Sequence, residues 1–133
     1  PCHICADPKR MADQLCLISE WDSLMVMEEA GFYQGRYLIL GGLLSPLDGV
    51  DAQALEMPRL NSILREGQVH EVILALGSTM EAEATSSYVH ALVGRDFPAV
   101  AVTRLAQGIP LGAEIKYVDR ETLKQSLKFR QAL

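Results

Sequence analysis

The chain has 133 residues, a length that suits one domain with one hydrophobic core. Hydrophobic residues make up 49% and charged residues 22%, which excludes a disordered chain. The net charge of -5 argues against a large nucleic-acid-binding basic face but leaves a local patch open at Arg104, Lys116, Arg120 and Lys124. No apolar run approaches the roughly 20 residues that cross a bilayer, and the N-terminus resembles neither a signal nor a transit peptide, so we expect a cytoplasmic protein.

The first third of the chain predicts a strand, a helix and a second strand. Short apolar runs at residues 14–18 and 37–40 predict the two strands. Between them, Asp22 is predicted to N-cap a helix that runs to about Glu29 and stops at Gly31. Four apolar side chains of this helix are expected to pack inward: Leu24, Met25, Val26 and Met27.

The middle of the chain predicts a loop, a helix and a buried strand. Residues 41–49 contain glycines, a proline and an Asp-Gly pair, all of which favour turns. Residues 51–65 carry apolar side chains near the helical period, with Pro58 as a break or a second start. The apolar run at residues 69–76 is typical of a strand buried on both faces of a parallel sheet.

The last third predicts two helices separated by a strand and a loop. A helix is expected at residues 81–93, ended by Gly94, and a strand at residues 99–102. A loop follows at residues 103–112. The final helix, residues 119–127, is opened by Asp119-x-x-Thr122 and carries Leu123 and Leu127 on one face.

Strands that alternate with helices predict an α/β fold, with a parallel sheet of about four strands and helices on both faces. Right-handed crossovers place the carboxyl ends of all the strands at one edge of the sheet, where ligands bind. Glu20 and the segments 41–49, 77–83 and 103–112 are therefore expected at this edge.

Three carboxylates at this edge are candidate site residues: Glu20, Glu81 and Glu83. Carboxylates at adjacent strand ends are what a Mg²⁺ site needs, because Mg²⁺ prefers oxygen ligands and keeps several waters. Gly77 and Thr79 stand where a phosphoryl-transfer site usually has aspartates, and they supply no carboxylate.

A purely structural role is open for two of these acids. Ser78-x-x-Glu81 matches a capping box, and acids in a first helical turn favour the helix dipole. Glu83 is expected to have a surface role. Glu20 ends a buried strand and has no capping role, so a site role is favoured for it.

The N-terminal motif Cys2-His3-Ile4-Cys5 is a C-x-x-C knuckle that supplies two of the four ligands of a structural zinc site. A thioredoxin-like redox role would need a strand before the motif. The interpretation adopted is half of a zinc site, and two free cysteines are the alternative. Cys16 lies in an apolar run and is expected to be a small buried core residue.

Several blocks, taken together and in order, resemble the RecR family of bacterial recombination mediators. The resemblance rests on C-x-x-C at residues 2–5, L-C-L-I-S-E at 15–20, G-R-Y-L-I-L-G-G at 35–42 and L-S-P-L-D-G at 44–49. It continues through E-V-I-L-A at 71–75, E-A-E-A-T at 81–85, T-R-L-A-Q-G-I-P at 103–110 and Y-V-D-R-E-T-L at 117–123. One departure is Ala82, where the family motif usually has glycine.

The resemblance implies a Toprim domain. Catalytic Toprim domains carry a glutamate after the first strand and an Asp-x-Asp after a later one, and they use Mg²⁺. Glu20 matches the glutamate, but Gly77 and Thr79 occupy the aspartate positions. The implied function is therefore a non-catalytic scaffold for DNA repair and recombination. Such a scaffold would associate with itself, as a dimer or tetramer when full length, to form a clamp that holds DNA through the ring and the N-terminal region missing here. It would act with RecO and RecF to load recombinase onto single-stranded DNA.

The resemblance also divides the chain. Residues 1–12 correspond to the second half of a four-cysteine zinc finger and a linker, so Cys2 and Cys5 would be two zinc ligands whose two companions are absent from this chain. Residues 13–102 form the Toprim domain, and residues 103–133 make subunit contacts. The acidic edge that would recruit RecO consists of Glu20, Asp48, Glu81 and Glu83.

Two other functions are considered. The first is a Mg²⁺-dependent Toprim nuclease or topoisomerase-like enzyme with Glu20 as base or ligand, and the missing aspartates oppose it. The second is a Rossmann-like module for a small molecule. No G-x-G-x-x-G follows any predicted strand and no Gly-Lys-Ser/Thr follows Gly41-Gly42, so the usual phosphate-binding motifs are missing.

Overall fold

The computed structural model describes residues 3–133, apart from the side chains of His3 and Cys5. Its centre is a sheet of four parallel strands in the order β2-β1-β3-β4, which confirms the predicted α/β fold. The strands are β1 (Gln14–Ile18), β2 (Arg36–Ile39), β3 (Glu71–Leu74) and β4 (Ala101–Arg104). The helices are α1 (His3–Ala6), α2 (Trp21–Ala30), α3 (Met57–Arg65), α4 (Met80–Asp96) and α5 (Arg120–Lys128).

Each face of the sheet packs against its own hydrophobic cluster. Strand β1 supplies both, because alternate side chains of a strand point to opposite faces. Leu15 and Leu17 pack with α3 and α4, whereas Cys16 and Ile18 pack with Leu24 of α2. Since α2 covers one face and α3 and α4 the other, the strands have apolar residues at consecutive positions, as parallel sheets do.

The predicted strands lie in the right places but differ in length and register. The second begins one residue earlier than predicted, the fourth two residues later, and β3 is shorter than the apolar run 69–76. Leu40, Val69 and Leu76 are buried although they lie outside the strands. An apolar run therefore marks burial, whereas a strand ends where its neighbours stop pairing.

Helix α2 corrects two predictions. Its N-cap residue is Glu20, whose side chain makes no capping hydrogen bond, and Asp22 lies inside the first turn. Met25 and Val26 do not pack inward: Val26 is 68% exposed. Of the four apolar residues predicted to pack inward, only Leu24 and Met27, which are at helical spacing, face the sheet.

The predicted helix at residues 51–65 is divided in two. Asp51 caps a short 3-10 turn, Ala52–Ala54, by accepting hydrogen bonds from the N–H groups of Gln53 and Ala54. Helix α3 begins only at Met57, with Pro58 in its first turn, where a missing N–H costs no hydrogen bond. Pro58 is therefore a second start, one of the two predicted alternatives.

Helix α4 has a different cap from the predicted one. The N-cap is Thr79, whose Oγ1 accepts a hydrogen bond from the N–H of Ala82 at 3.1 Å, so the predicted capping box of Ser78 and Glu81 is wrong. The helix also continues through Gly94 to Asp96, because Gly94 does not adopt the positive φ that ends helices.

The C-terminal residues are mostly exposed and belong to neither hydrophobic cluster. Helix α5 begins after Asp119, which caps it as predicted, and the hydrogen bonds from Thr122 lower the pKa of this carboxyl. Leu123 is half-buried but Leu127 is exposed. Among residues 3–133, no helix combines the length and the apolar character that a bilayer crossing requires.

Candidate functional site

The carboxyl edge of the sheet brings the predicted acidic segments together. Strands β1 and β3 are direct neighbours, with Leu17 paired to Leu74, so Glu20 and the segment 77–83 leave adjacent strands at the same edge. Gly77 has a φ of 91°, a left-handed conformation that lets the chain turn away sharply after β3. The loop 41–50 leaves β2 on the other side of β1.

The four acids at this edge have different surroundings. Glu20 and Glu81 are exposed, and no hydrogen bond or ion pair in the described part of the chain holds either carboxylate. Asp48 is exposed, and its Oδ2 accepts a hydrogen bond from Ser45 Oγ at 2.8 Å. Glu83 forms an ion pair with Arg104 of β4, with 3.0 Å between Oε2 and Nη1. Glu20 and Glu81 are therefore available to a binding partner, whereas the charge of Glu83 is balanced by Arg104.

These acids do not cluster in the way that metal ligands do. Among the described residues, no three histidine, cysteine, aspartate or glutamate side chains come close enough together to hold a metal ion. A Mg²⁺ site needs at least one or two converging carboxylates backed by further oxygen ligands. Because Gly77 and Thr79 supply no carboxylate, the residues present do not fit the Mg²⁺ site of a catalytic Toprim domain.

The loop after β2 is attached to α4 by a buried threonine, Thr85, that no sequence pattern had singled out. Thr85 is 0% exposed, and its Oγ1 accepts a hydrogen bond from the N–H of Leu44 at 2.8 Å. The same hydroxyl donates to the carbonyl of Glu81 at 2.7 Å. Both hydrogen-bonding capacities of the hydroxyl are therefore satisfied, and the loop is held at the N-terminal half of α4.

A short antiparallel bridge closes this loop. Ser45 and Val50 exchange two backbone hydrogen bonds of 2.9 Å each, around a 3-10 turn at Pro46–Asp48. Gly49 follows the turn with a φ of 75°. The side chain of Leu47, at the tip, is fully exposed. The loop thus presents an apolar side chain and the carboxylate of Asp48 next to each other.

Arg10, Glu28 and Tyr37 form a polar cluster that joins the N-terminal segment to the sheet, away from the acidic edge. The guanidinium of Arg10 forms an ion pair with Glu28 of α2 and donates to the carbonyl of Gly35 at 2.9 Å. Tyr37 donates its hydroxyl proton to the same Glu28 carboxylate at 2.7 Å. Burial, and then this hydrogen bond, raise the pKa of Tyr37. These contacts attach the segment that precedes β1 to helix α2 and to strand β2.

The cysteines differ in what the structure describes. Cys2 and the side chain of Cys5 lie outside the described part, so the predicted zinc half-site stays a prediction. Cys16 is fully buried, as predicted, and burial raises the pKa of its thiol to about 12. Its thiolate fraction at neutral pH is therefore very small, which makes it a packing residue rather than a nucleophile.

The local basic patch is partly neutralised. Arg104 pairs with Glu83, and Lys116 pairs with Glu114 at 3.4 Å between Nζ and Oε2. Arg120 lies in the first turn of α5. In the described part of the chain, two of the four predicted cations therefore already have acidic partners.

Comparison with known proteins gives the family. The model of the Toprim domain matches residues 13–106, and the model described as RecR, C-terminal, matches residues 108–131. The chain is 59% identical over 133 residues to Recombination protein RecR of Nitratidesulfovibrio vulgaris and to that of Maridesulfovibrio salexigens, covering all of this chain and 66% of each relative. It is 43% identical over 130 residues to that of Alcanivorax borkumensis, covering 98% of this chain and 64% of the relative. The chain thus spans somewhat less than two thirds of these relatives, and it belongs to the RecR family, with a Toprim domain followed by the RecR C-terminal region.

Proposed function

We propose that this protein is a non-catalytic scaffold for DNA recombination and repair that acts with RecO and RecF to load recombinase onto single-stranded DNA. The observation that carries the proposal is the carboxyl edge of the Toprim sheet, which exposes Glu20, Asp48 and Glu81 without gathering them into a metal centre. Exposed acids suit the recruitment of a basic protein surface. The names of the relatives supply the link to recombination.

The non-catalytic assignment is supported by the strand ends. A Toprim enzyme would need carboxylates at the positions of Gly77 and Thr79, and neither residue has one. Cleavage of DNA in Mg²⁺ or Mn²⁺ that disappears in the Glu20→Gln variant would overturn this assignment.

The acidic edge is proposed to bind RecO. Glu20→Lys combined with Glu81→Lys is expected to weaken RecO binding by about 1–3 kcal/mol, or roughly five- to 150-fold, because two exposed carboxylates would become like charges facing a basic surface. Binding is measured by titration calorimetry at about 0.1 M salt, where charge interactions are only partly screened.

The matched control makes the same charge change at the other edge of the sheet. Glu29→Lys with Glu66→Lys alters two exposed acids at or just beyond the C-terminal ends of α2 and α3. It is expected to leave RecO affinity unchanged. Equal affinities of both double variants and the parent would remove the acidic edge as the RecO site, and thermal melts establish that each variant is folded.

We further propose that Cys2 and Cys5 are two ligands of a structural zinc site. Two thiolates do not complete the four-ligand shell of structural zinc. We therefore expect less than one zinc per chain in the 133-residue protein, and one per chain when a segment with a second C-x-x-C precedes it. Metal analysis after dialysis distinguishes these outcomes, and full zinc content that survives Cys2→Ser with Cys5→Ser would contradict the assignment.

Residues 103–133 are proposed to make subunit contacts in a clamp-forming oligomer around DNA. The support is the number of large apolar side chains that this segment leaves uncovered: Leu111, Tyr117, Leu127, Phe129 and Leu133. Scattered apolar residues are normal on protein surfaces, but several within one short segment favour an interface.

A further inference from the structure

We propose that a cavity beside the acidic edge is an anchor pocket for an apolar side chain of the protein partner. The cavity has a volume of about 490 Å³ and lies between the loop 44–52 and Tyr88 of α4. Its walls are largely apolar and include Leu44, Pro46, Val50 and Ala52. The inference rests on the proposed function, since it gives the acidic edge the apolar anchor that tight protein interfaces have.

The pocket is preformed by three independent restraints. The hydroxyl of Thr85 attaches the N–H of Leu44 to α4, and the bridge between Ser45 and Val50 closes the loop. Asp51 then caps the turn that carries Ala52. A partner side chain entering a preformed cavity does not have to order the loop, so little conformational entropy is lost on binding.

The pocket shares a helix face and a loop with the acidic edge. Glu81, Thr85 and Tyr88 are spaced i, i+4 and i+7 along α4, so they lie on one face of the helix. Asp51 lines the pocket, and Asp48 lies in the loop that forms its wall. The loop also presents the fully exposed side chain of Leu47.

This arrangement selects a protein rather than a nucleic acid. Asp51 lines the pocket and Asp48 lies in the same loop, and the negative charges of both repel phosphate groups and attract lysine or arginine. The partner that fits is therefore a protein surface on which an aliphatic or aromatic side chain is flanked by basic residues. Its apolar side chain fills the cavity while its basic residues meet the carboxylates of Asp48 and Asp51.

Filling the pocket tests the proposal with a closely matched pair of variants. Ala52 lines the cavity, whereas Ala54 of the same 3-10 turn is exposed and does not line it. Ala52→Phe is expected to weaken binding of purified RecO by about tenfold or more, and Ala54→Phe by less than about twofold. Equal affinities, or an equal loss in both variants, would overturn the pocket.

A second pair keeps the test decisive if the bulky side chain at position 52 disturbs folding. Tyr88→Ala removes a wall of the pocket, and His90→Ala alters an exposed residue of the same helix that does not line it. Only Tyr88→Ala is expected to weaken RecO binding. A loss of single-stranded DNA binding with unchanged RecO binding would assign the pocket to nucleic acid and overturn the proposal.

Salt separates this inference from the function on which it rests. The loss caused by Glu20→Lys with Glu81→Lys should shrink as salt rises from about 0.1 M to about 1 M, whereas the loss caused by Ala52→Phe should persist, because burial of apolar groups is not screened. If only Glu20→Lys with Glu81→Lys weakens RecO binding, the anchor pocket is ruled out and the acidic edge remains the proposed RecO site. If only Ala52→Phe weakens it, the pocket stands and the acidic site is wrong.

Discussion

Replacement of Leu17 by alanine is expected to lower the free energy of unfolding by about 2–5 kcal/mol. Leu17 is fully buried in β1, which pairs with a strand on each side, and its side chain packs in the cluster formed with α3 and α4. Truncation leaves a cavity that a sheet paired on both sides cannot easily close. Urea denaturation followed by circular dichroism measures the effect.

Leu47→Ala is the matched control for this substitution. It deletes the same atoms from a fully exposed side chain, so stability should change by less than about 0.5 kcal/mol. A loss of less than about 1 kcal/mol in Leu17→Ala would mean that β1 is not the centre of the packed core. If the loop 44–52 binds RecO, Leu47→Ala should change the affinity for RecO without changing the stability of the protein.

The second large effect is expected from Arg10→Ala. This substitution should lower the free energy of unfolding by about 3 kcal/mol, because it leaves the carboxylate of Glu28 partly buried without its cationic partner. The side chains of Arg10 and Glu28 are only 12% and 25% exposed, so water does not fully replace the ion pair. The N-terminal segment would also lose its hydrogen bond to Gly35. Thermal and urea denaturation measure the loss.

A double-mutant cycle with Glu28→Gln isolates the interaction itself. The double variant should be less destabilised than the sum of the single variants, because it leaves no unpaired charge. Arg95→Ala serves as the control, since the ion pair of Arg95 with Asp96 is exposed and contributes little. A fully additive cycle would show that Arg10 stabilises the protein independently of Glu28, through packing and its hydrogen bond to Gly35.

The sequence predicted the number of the strands and their order along the chain because each strand overlaps a short apolar run. It failed at helix details that depend on neighbours rather than on residue type. Ser78 and Thr79 are both good capping residues, and the exit from β3 at Gly77 decides that Thr79 is the one used. Met25 and Val26 are as apolar as the buried residues beside them, but the direction of α2 turns them to solvent.

The candidate site was predictable in position but not in its connections. Parallel topology was enough to place Glu20 beside the segment 77–83. The ion pair between Glu83 and Arg104 joins residues 21 positions apart, and the bond between Thr85 and Leu44 spans 41 positions. Pairing at such distances depends on the register of the strands and the rotation of α4, which no local pattern encodes. A threonine within a helix of mixed polarity gives no signal of its own.

The strand order has a consequence for how the chain is made. Gln14 of β1 pairs with Glu71 of β3, so the central strand waits for 57 later residues before its second neighbour exists. Until those residues have been added, the side of β1 that pairs with β3 has no partner within the chain, and such open strand edges invite pairing with other chains. The interval in synthesis between β2 and β3 is therefore a stage at which the chain is open to pairing with other chains.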